Sequence, residues 1–204
     1  MFRTRLTVSV AALFFSIAAP AGAQTFEAAP FGGYRFGGDL YEVYTGRPLD
    51  VDGAASYGVM VDLFVRPGAS LSFLYSRQET RVRLSDPWIG ASASTPLFVE
   101  HWHVGGNHEV DATRRVRPFL SGSVGLTRYG GPQADEIRFS AAGAGGVKLM
   151  PSRHVGVRLD GRIYAVFVDG RLGPTVCGGG ACLINVDVFV VWQAEFTAGL
   201  VFAF

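Results

Sequence analysis

From Tyr57 onward the chain alternates. Tyr57, Val59, Val61, Leu63 and Val65 fall on one face, and Gly58, Met60, Asp62, Phe64 and Arg66 on the other. Val155, Val157, Leu159, Gly161, Ile163, Ala165 and Phe167 alternate in the same way with Gly156, Arg158, Asp160, Arg162 and Tyr164. At the C-terminal end Trp192, Ala194, Phe196, Ala198, Leu200, Phe202 and Phe204 alternate with Gln193, Glu195, Thr197, Gly199, Val201 and Ala203. A period of two held this long predicts strands, because a helix repeats at 3.6. Eight such runs are legible, at 26–37, 55–66, 69–82, 97–110, 117–129, 137–150, 154–168 and 187–204. Most are about twice the length of an ordinary globular strand (~5–6 residues) and cover the ~9–11 residues that a tilted strand places in lipid.

The connections alternate in length. Arg66-Pro67-Gly68, Met150-Pro151-Ser152-Arg153 and the charged stretch Asp111 to Val116 are short. Gly38 to Ala54, Leu84 to Pro96, Gly130 to Glu136 and Asp169 to Val186 are longer. Short turns at one rim and long loops at the other are the outer-membrane pattern. The fold class expected is therefore all-β: an eight-stranded antiparallel transmembrane β-barrel over residues 24–204, with short periplasmic turns, longer extracellular loops and no strand edge open to lipid. Both ends of the barrel fall on the periplasmic side, and no second domain is expected.

Which face points inward is decided by volume. An eight-stranded barrel has room for filling side chains or one small ligand. It cannot enclose Tyr57, Leu63, Phe167, Trp192, Phe196 and Phe202 together, so the apolar face is expected outside. The interior then receives Arg35, Asp62, Arg66, His101, His103, Asn107, Lys148, Arg158, Asp160, Arg162, Gln193 and Glu195. An unpaired charge there costs several kcal/mol, so Asp160 and Glu195 are expected to pair with Arg158, Arg162 or Lys148. Tyr34, Phe36, Tyr57, Trp102, Trp192, Phe202 and Phe204 fall on outward positions and suit an aromatic girdle at the headgroups.

Composition narrows the classes. Hydrophobic residues make up 49% and charged residues 17%, which excludes a disordered chain. The 27 glycines have no three-residue period, which excludes collagen. A formal charge of +1 gives no reason to expect nucleic acid. Arg3 and Arg5 precede an apolar stretch from Leu6 to Ala19, then Pro20 and Ala21-Gly22-Ala23. This reads as a secretory signal over residues 1–23, cleaved between Ala23 and Gln24. The remainder has no apolar run long enough for a transmembrane helix.

Three stretches carry a resemblance. They are Pro30-Phe31-Gly32-Gly33-Tyr34-Arg35-Phe36-Gly37-Gly38, the segment from Gly143 through Tyr164 with its Pro turn and Arg-x-Asp-x-Arg strand, and the run from Phe196 to Phe204. In that order the chain resembles the small eight-stranded outer-membrane barrel family that includes the OmpA transmembrane domain and the OmpW-like and opacity-like proteins. The resemblance implies an outer-membrane location in a Gram-negative-type envelope. It also implies an assembly signal ending in Phe204 that engages the barrel-assembly machinery, and contact with outer-membrane lipid and lipopolysaccharide. A monomer is expected, with no cofactor.

The remaining chemistry is sparse. Cys177 and Cys182 share one long loop of an exported chain and read as a disulfide. His101 and His103 stand two apart on the inward face. That spacing can chelate a metal, but the role expected of the pair is membership of the interior polar network. The lipid A deacylase family places a Ser two residues from its His, and no such Ser follows His101 or His103; no catalytic set is identified. Arg77, Glu79, Arg81 and Arg83 alternate onto the outward register before the second long loop, where they suit lipopolysaccharide phosphates. Function is expected to be structural or surface-presenting, without turnover. The alternative is a narrow pore or small hydrophobic-solute channel, with a lipid-modifying enzyme further behind. Loop residues such as Tyr41-Glu42-Val43-Tyr44 and Pro87-Trp88-Ile89 are available to partners.

Overall fold

The chain is described by a computed structural model over residues 26–38, 40–41, 48–86, 91–110, 115–131, 135–169, 176–178, 181–183 and 188–204. Residues 1–23, read above as a signal, with the expected cleavage pair Ala23 and Gln24, and the loop residues Glu42, Val43, Tyr44, Pro87, Trp88 and Ile89, lie outside these.

Eight long strands form the barrel: β1 (Phe26–Gly37), β4 (Ala54–Arg66), β5 (Ala69–Asp86), β6 (Ala91–Glu109), β7 (Val116–Gly130), β8 (Asp135–Leu149), β9 (Val155–Asp169) and β12 (Val188–Ala203). Each pairs antiparallel with its neighbour along the chain, and β1 pairs with β12 to close the ring. The seam runs from Glu27 opposite Ala203 to Gly37 opposite Gln193. Four short strands accompany the long loops. β2 (Leu40–Tyr41) and β3 (Pro48–Val51) extend the sheet beside β5, and β10 (Val176–Gly178) pairs with β11 (Ala181–Leu183).

Two differences from the sequence-based expectation have physical causes. β5 and β6 continue past 82 and begin before 97, pairing as far as Asp86 opposite Ala91. Most of the loop expected at Leu84 to Pro96 is thus a hairpin. Its Ala91-Ser92-Ala93-Ser94-Thr95 stretch alternates only between small residues, too weak a contrast to announce a strand. Paired strands satisfy their backbone groups whatever side chains they carry.

The second difference concerns Arg66. The β4–β5 register shifts between Phe64 and Arg66, so that Phe64 faces Ser70 while Arg66 faces Ala69. A bulge inserts one residue and reverses the facing of the residues beyond it. Arg66 is accordingly exposed, not interior. The turn after it needs Gly68, whose φ of 76° lies in the left-handed region.

Packing sorts the two faces sharply. Trp192, Phe196, Leu120 and Tyr34 are outward and more than half exposed, while Arg35, Lys148, His101 and Glu195 are fully buried. Polar groups inside and apolar groups outside invert the order of a water-soluble barrel. Among the inward positions are Gly33, Gly58, Gly105, Gly125 and Gly146. A Cβ on any of these would run into the backbone carbonyl oxygen of Phe196, Tyr75, Gly122, Trp102 or Leu159 respectively, on the adjacent strand. These glycines let the strands coil tightly enough to close with eight.

Candidate functional site

The lumen is the site, and it is filled in two levels. The level nearer the short turns centres on Lys148 of β8. Its Nζ donates to Glu27 Oε2 of β1 at 2.6 Å, to Glu109 Oε1 of β6 at 2.8 Å and to Asp62 Oδ2 of β4 at 3.2 Å. Arg158 of β9 donates to the same Asp62 oxygen at 3.1 Å and to Asp160 at 2.9 Å, and its guanidinium stacks 4.0 Å from the Phe119 ring centre. Ser72 of β5 donates to Asp62, Thr197 of β12 donates to Asp160 at 2.9 Å, and Arg117 of β7 lies 3.7 Å from Glu109. All eight barrel strands contribute one side chain or more. The strands fix this geometry because a period of two returns each polar residue to the lumen.

The second level crosses the middle of the barrel. Arg35 of β1 donates to Glu195 of β12 at 2.8 Å and also to Ser76. These two charged residues are direct cross-strand partners. Ser76 and Tyr164 donate to the two Glu195 oxygens at 3.0 and 2.7 Å. The Tyr164 ring lies flat on His101, with centroids 3.9 Å apart and planes 7° apart, and Arg35 sits 5.1 Å above the same ring. His101 hydrogen-bonds with Thr127 at 2.8 Å and Gln193 at 3.1 Å; His103 does so with Ser123 at 3.1 Å and Ser140 at 2.9 Å. Thr127 donates to Ser140, joining the two histidines through hydroxyls. Apolar side chains pack beside this layer, with Met60, Leu74, Phe31 and Val201 in one cluster and Val99, Tyr129, Val166 and Val191 in another.

The structure gathers Arg35, Asp62, His101, His103, Lys148, Arg158, Asp160, Arg162, Gln193 and Glu195 inside. The expected pairings are redistributed. Asp160 takes Arg158 and, at 3.5 Å, Arg162. Glu195 takes Arg35 in place of Arg158, Arg162 or Lys148, because the seam sets Arg35 directly opposite it. Glu27, Glu109, Tyr164 and Ser76 were missing from the sequence-derived set. Glu109 follows Asn107 in the inward register and Tyr164 follows Arg162, so continuing each alternation by one step finds them.

Chemically the lumen offers structure before catalysis. Both nitrogens of each imidazole are engaged by hydroxyl or amide groups. Among the described residues no cluster of three His, Cys, Asp or Glu is poised to hold a metal. Ser140, 2.9 Å from His103, is fully buried, and no carboxylate supports that ring among the described residues.

A further cluster lies outside, toward the long-loop rim. Arg77 donates to Glu79 at 3.1 Å and to Glu100 at 2.9 Å; Arg128 donates to Glu100 at 3.5 Å and to Asp135 at 2.6 Å. Tyr75 donates to Glu100 at 3.0 Å, and the Phe98 ring lies between the two guanidiniums, 4.6 and 5.4 Å from them. Arg81 is exposed, and the side chain of Arg83 is outside the described set. Of the aromatic positions, Tyr34, Phe36, Tyr57, Trp102, Trp192, Phe202 and Phe204 are all outward and exposed. Cys177 and Cys182 are register partners in the β10–β11 hairpin.

No family model and no curated protein sequence matches the chain. Solved structures do. Neisserial surface protein A aligns with a TM-score of 0.60 at 13% identity, over 89% of this chain and 98% of its own. The outer membrane protein OprG from Pseudomonas aeruginosa aligns at 0.59 and 12% identity, over 90% and 98%. The outer membrane protein AlkL, solved by solid-state NMR in DMPC bilayers, aligns at 0.53 and 17% identity, over 92% and 94%. The chain has the fold of the small eight-stranded outer-membrane barrels.

Proposed function

We propose that the chain is an integral outer-membrane barrel with a sealed lumen, serving as a membrane-anchored scaffold for its long loops and performing no turnover. The observation that carries this reading is the Lys148 network, in which one cation holds three carboxylates from three strands across the short-turn end of the lumen. Eight strands leave no wide channel to begin with, and the Arg35–Glu195–Tyr164–His101 layer crosses what is left. The apolar outer wall supports insertion. The signal over residues 1–23 directs export, and the terminal strand to Phe204 is offered to the assembly machinery. The Arg77–Glu100–Arg128 cluster and Arg81 face the lipopolysaccharide headgroups above the lipid. Fluxes of ions or hydrophobic solutes, the pore reading, would have to break both levels.

The test is conductance. Purified barrel, shown to be folded by heat-modifiable gel migration and then reconstituted in a planar bilayer, is expected to stay silent at about ±100 mV. Reproducible single-channel steps would replace the scaffold reading with the pore.

In the same reading Cys177 and Cys182 are joined. Directly opposed residues of an antiparallel pair have Cα atoms about 4.5–5.5 Å apart, inside the ~4.4–6.8 Å range that a disulfide requires. Denatured, unreduced protein is expected to take up no iodoacetamide, and reduced protein two equivalents. Uptake before reduction would show free thiols.

A further inference from the structure

The upper level of the lumen holds more hydrogen-bond donors than the protein uses. Arg35 has no solvent exposure, and its guanidinium donates through Nη2 alone, to Glu195 and Ser76. Its Nε and Nη1, which together carry three N–H groups, have no protein partner. The Tyr129 hydroxyl and the Gln193 Nε2 are idle too, on side chains more than nine-tenths buried. These groups surround one ring. Arg35 stands 5.1 Å over Tyr164, His101 stacks on the same ring, and His101 holds Gln193 through Oε1. Tyr129 lies within electrostatic reach of Arg35. The free acceptors of this level are Gln78 Oε1 and the hydroxyl of its register partner Ser56, and neither comes within hydrogen-bond distance of Arg35. The Gln78 amide cannot turn to help, because its Nε2 donates to the Arg35 carbonyl at 2.9 Å. Buried donors left unpaired are costly.

Charge and enclosure narrow the occupant. Glu195 already accepts from Arg35, Ser76 and Tyr164. Arg162, its register partner on β9, shares Asp160 with Arg158, which holds that carboxylate more closely, at 2.9 Å against 3.5 Å. Two guanidiniums thus flank one carboxylate. Above them the lumen is closed. Val99, Tyr129, Val166 and Val191 stand two positions nearer the long-loop end than His101, Thr127, Tyr164 and Gln193, and pack as one buried cluster. What fits beneath that lid is small, negative and able to accept hydrogen bonds without donating any. Water answers less well, since each molecule brings two more hydrogens to a level already rich in them.

We infer that a monovalent anion the size of chloride binds in the lumen at Arg35 Nε and Nη1, with the Tyr129 hydroxyl and Gln193 Nε2 as its other donors. Arg35 then serves two anions, Glu195 through Nη2 and the halide through the other two nitrogens. The ion is resident within the sealed-lumen reading above, and it is tested by scattering and stability, where that reading is tested by conductance.

Crystals of the full barrel grown in sodium bromide are expected to show an anomalous scattering peak within about 3.5 Å of Arg35 Nε or Nη1. No peak there overturns the inference. The second reading is a urea titration in zwitterionic detergent, with sodium chloride exchanged for sodium gluconate at constant ionic strength and heat-modifiable migration as the readout. An anion bound by the folded barrel alone raises the folded-to-unfolded ratio about tenfold for each tenfold rise in chloride above its dissociation constant. Tyr129→Phe keeps the ring in the lid and loses only the hydroxyl; it is expected to move this dependence to roughly tenfold higher chloride. Arg35→Lys keeps a cation for Glu195 without the two idle nitrogens and is expected to abolish it. A dependence unchanged in both variants is a general salt effect and overturns the site. If Arg35→Lys fails to fold, Tyr129→Phe and the bromide peak decide. A barrel that conducts in the bilayer yet keeps the peak and the chloride dependence would remove the seal and leave the site standing.

Discussion

Replacing Lys148 with Met is expected to destabilise the folded barrel by roughly 3–5 kcal/mol, the cost of removing one partner from a buried ionic cluster. The side chains are similar in length, so little packing is lost. What changes is charge. Glu27, Asp62 and Glu109 lie 2.6 to 3.2 Å from the ammonium and are each almost wholly buried. Without the cation they face one another in a space that water enters poorly. Arg158 still serves Asp62, and Arg117 lies near Glu109. Glu27 retains neither, and lies on the first strand of the seam. The measurement is a urea titration in micelles, read by heat-modifiable migration and circular dichroism together. A loss below about 1 kcal/mol, the range of exposed ion pairs, would mean that the cluster is solvated and the lumen wetter than proposed. Adding Glu109→Gln to Lys148→Met should recover part of the loss, since the two changes share one network.

A comparable loss is expected from Gly125→Val, by a different route. Gly125 faces inward opposite His103, and a Cβ there would collide with the carbonyl oxygen of Trp102 and press on the His103 Cα and ring. Backbone cannot yield as a flexible side chain can, so the strain falls on the β6–β7 pairing. Overpacking commonly costs about 1–3 kcal/mol and occasionally more, and this contact belongs at the upper end. The control is Gly122→Val, three residues away on the opposite face, where a Cβ meets nothing within 4 Å. Equal unfolding midpoints for the two variants would contradict the assignment of faces.

Much of this architecture was legible as a period of two. Each of the eight runs marks a barrel strand, and the inward register from Arg158 to Arg162 and from Gln193 to Glu195 was readable residue by residue. Periodicity fails where the backbone changes step. Arg66 continues the inward alternation of Met60, Asp62 and Phe64 in sequence, yet the bulge turns it out. It fails again at Ala91 to Thr95, where a run of alanine, serine and threonine gives too little contrast to mark a face. Partner choice inside the lumen was out of reach for another reason. Which carboxylate meets Lys148 depends on stagger around the ring, and the Glu27, Asp62 and Glu109 contacts join residues 121, 86 and 39 positions apart.

The seam between β1 and β12 bears on how the molecule forms. The Phe204 amide donates to the Phe26 carbonyl at 2.9 Å, and the ring closes only when the latest-made strand meets the earliest. Until then both strands carry open edges, which lipid does not tolerate, and Arg35 lacks Glu195. Assembly is therefore governed by its most remote contact. Nearest-neighbour hairpins can form as the chain lengthens, but the commitment to a buried polar interior comes in one late and cooperative step.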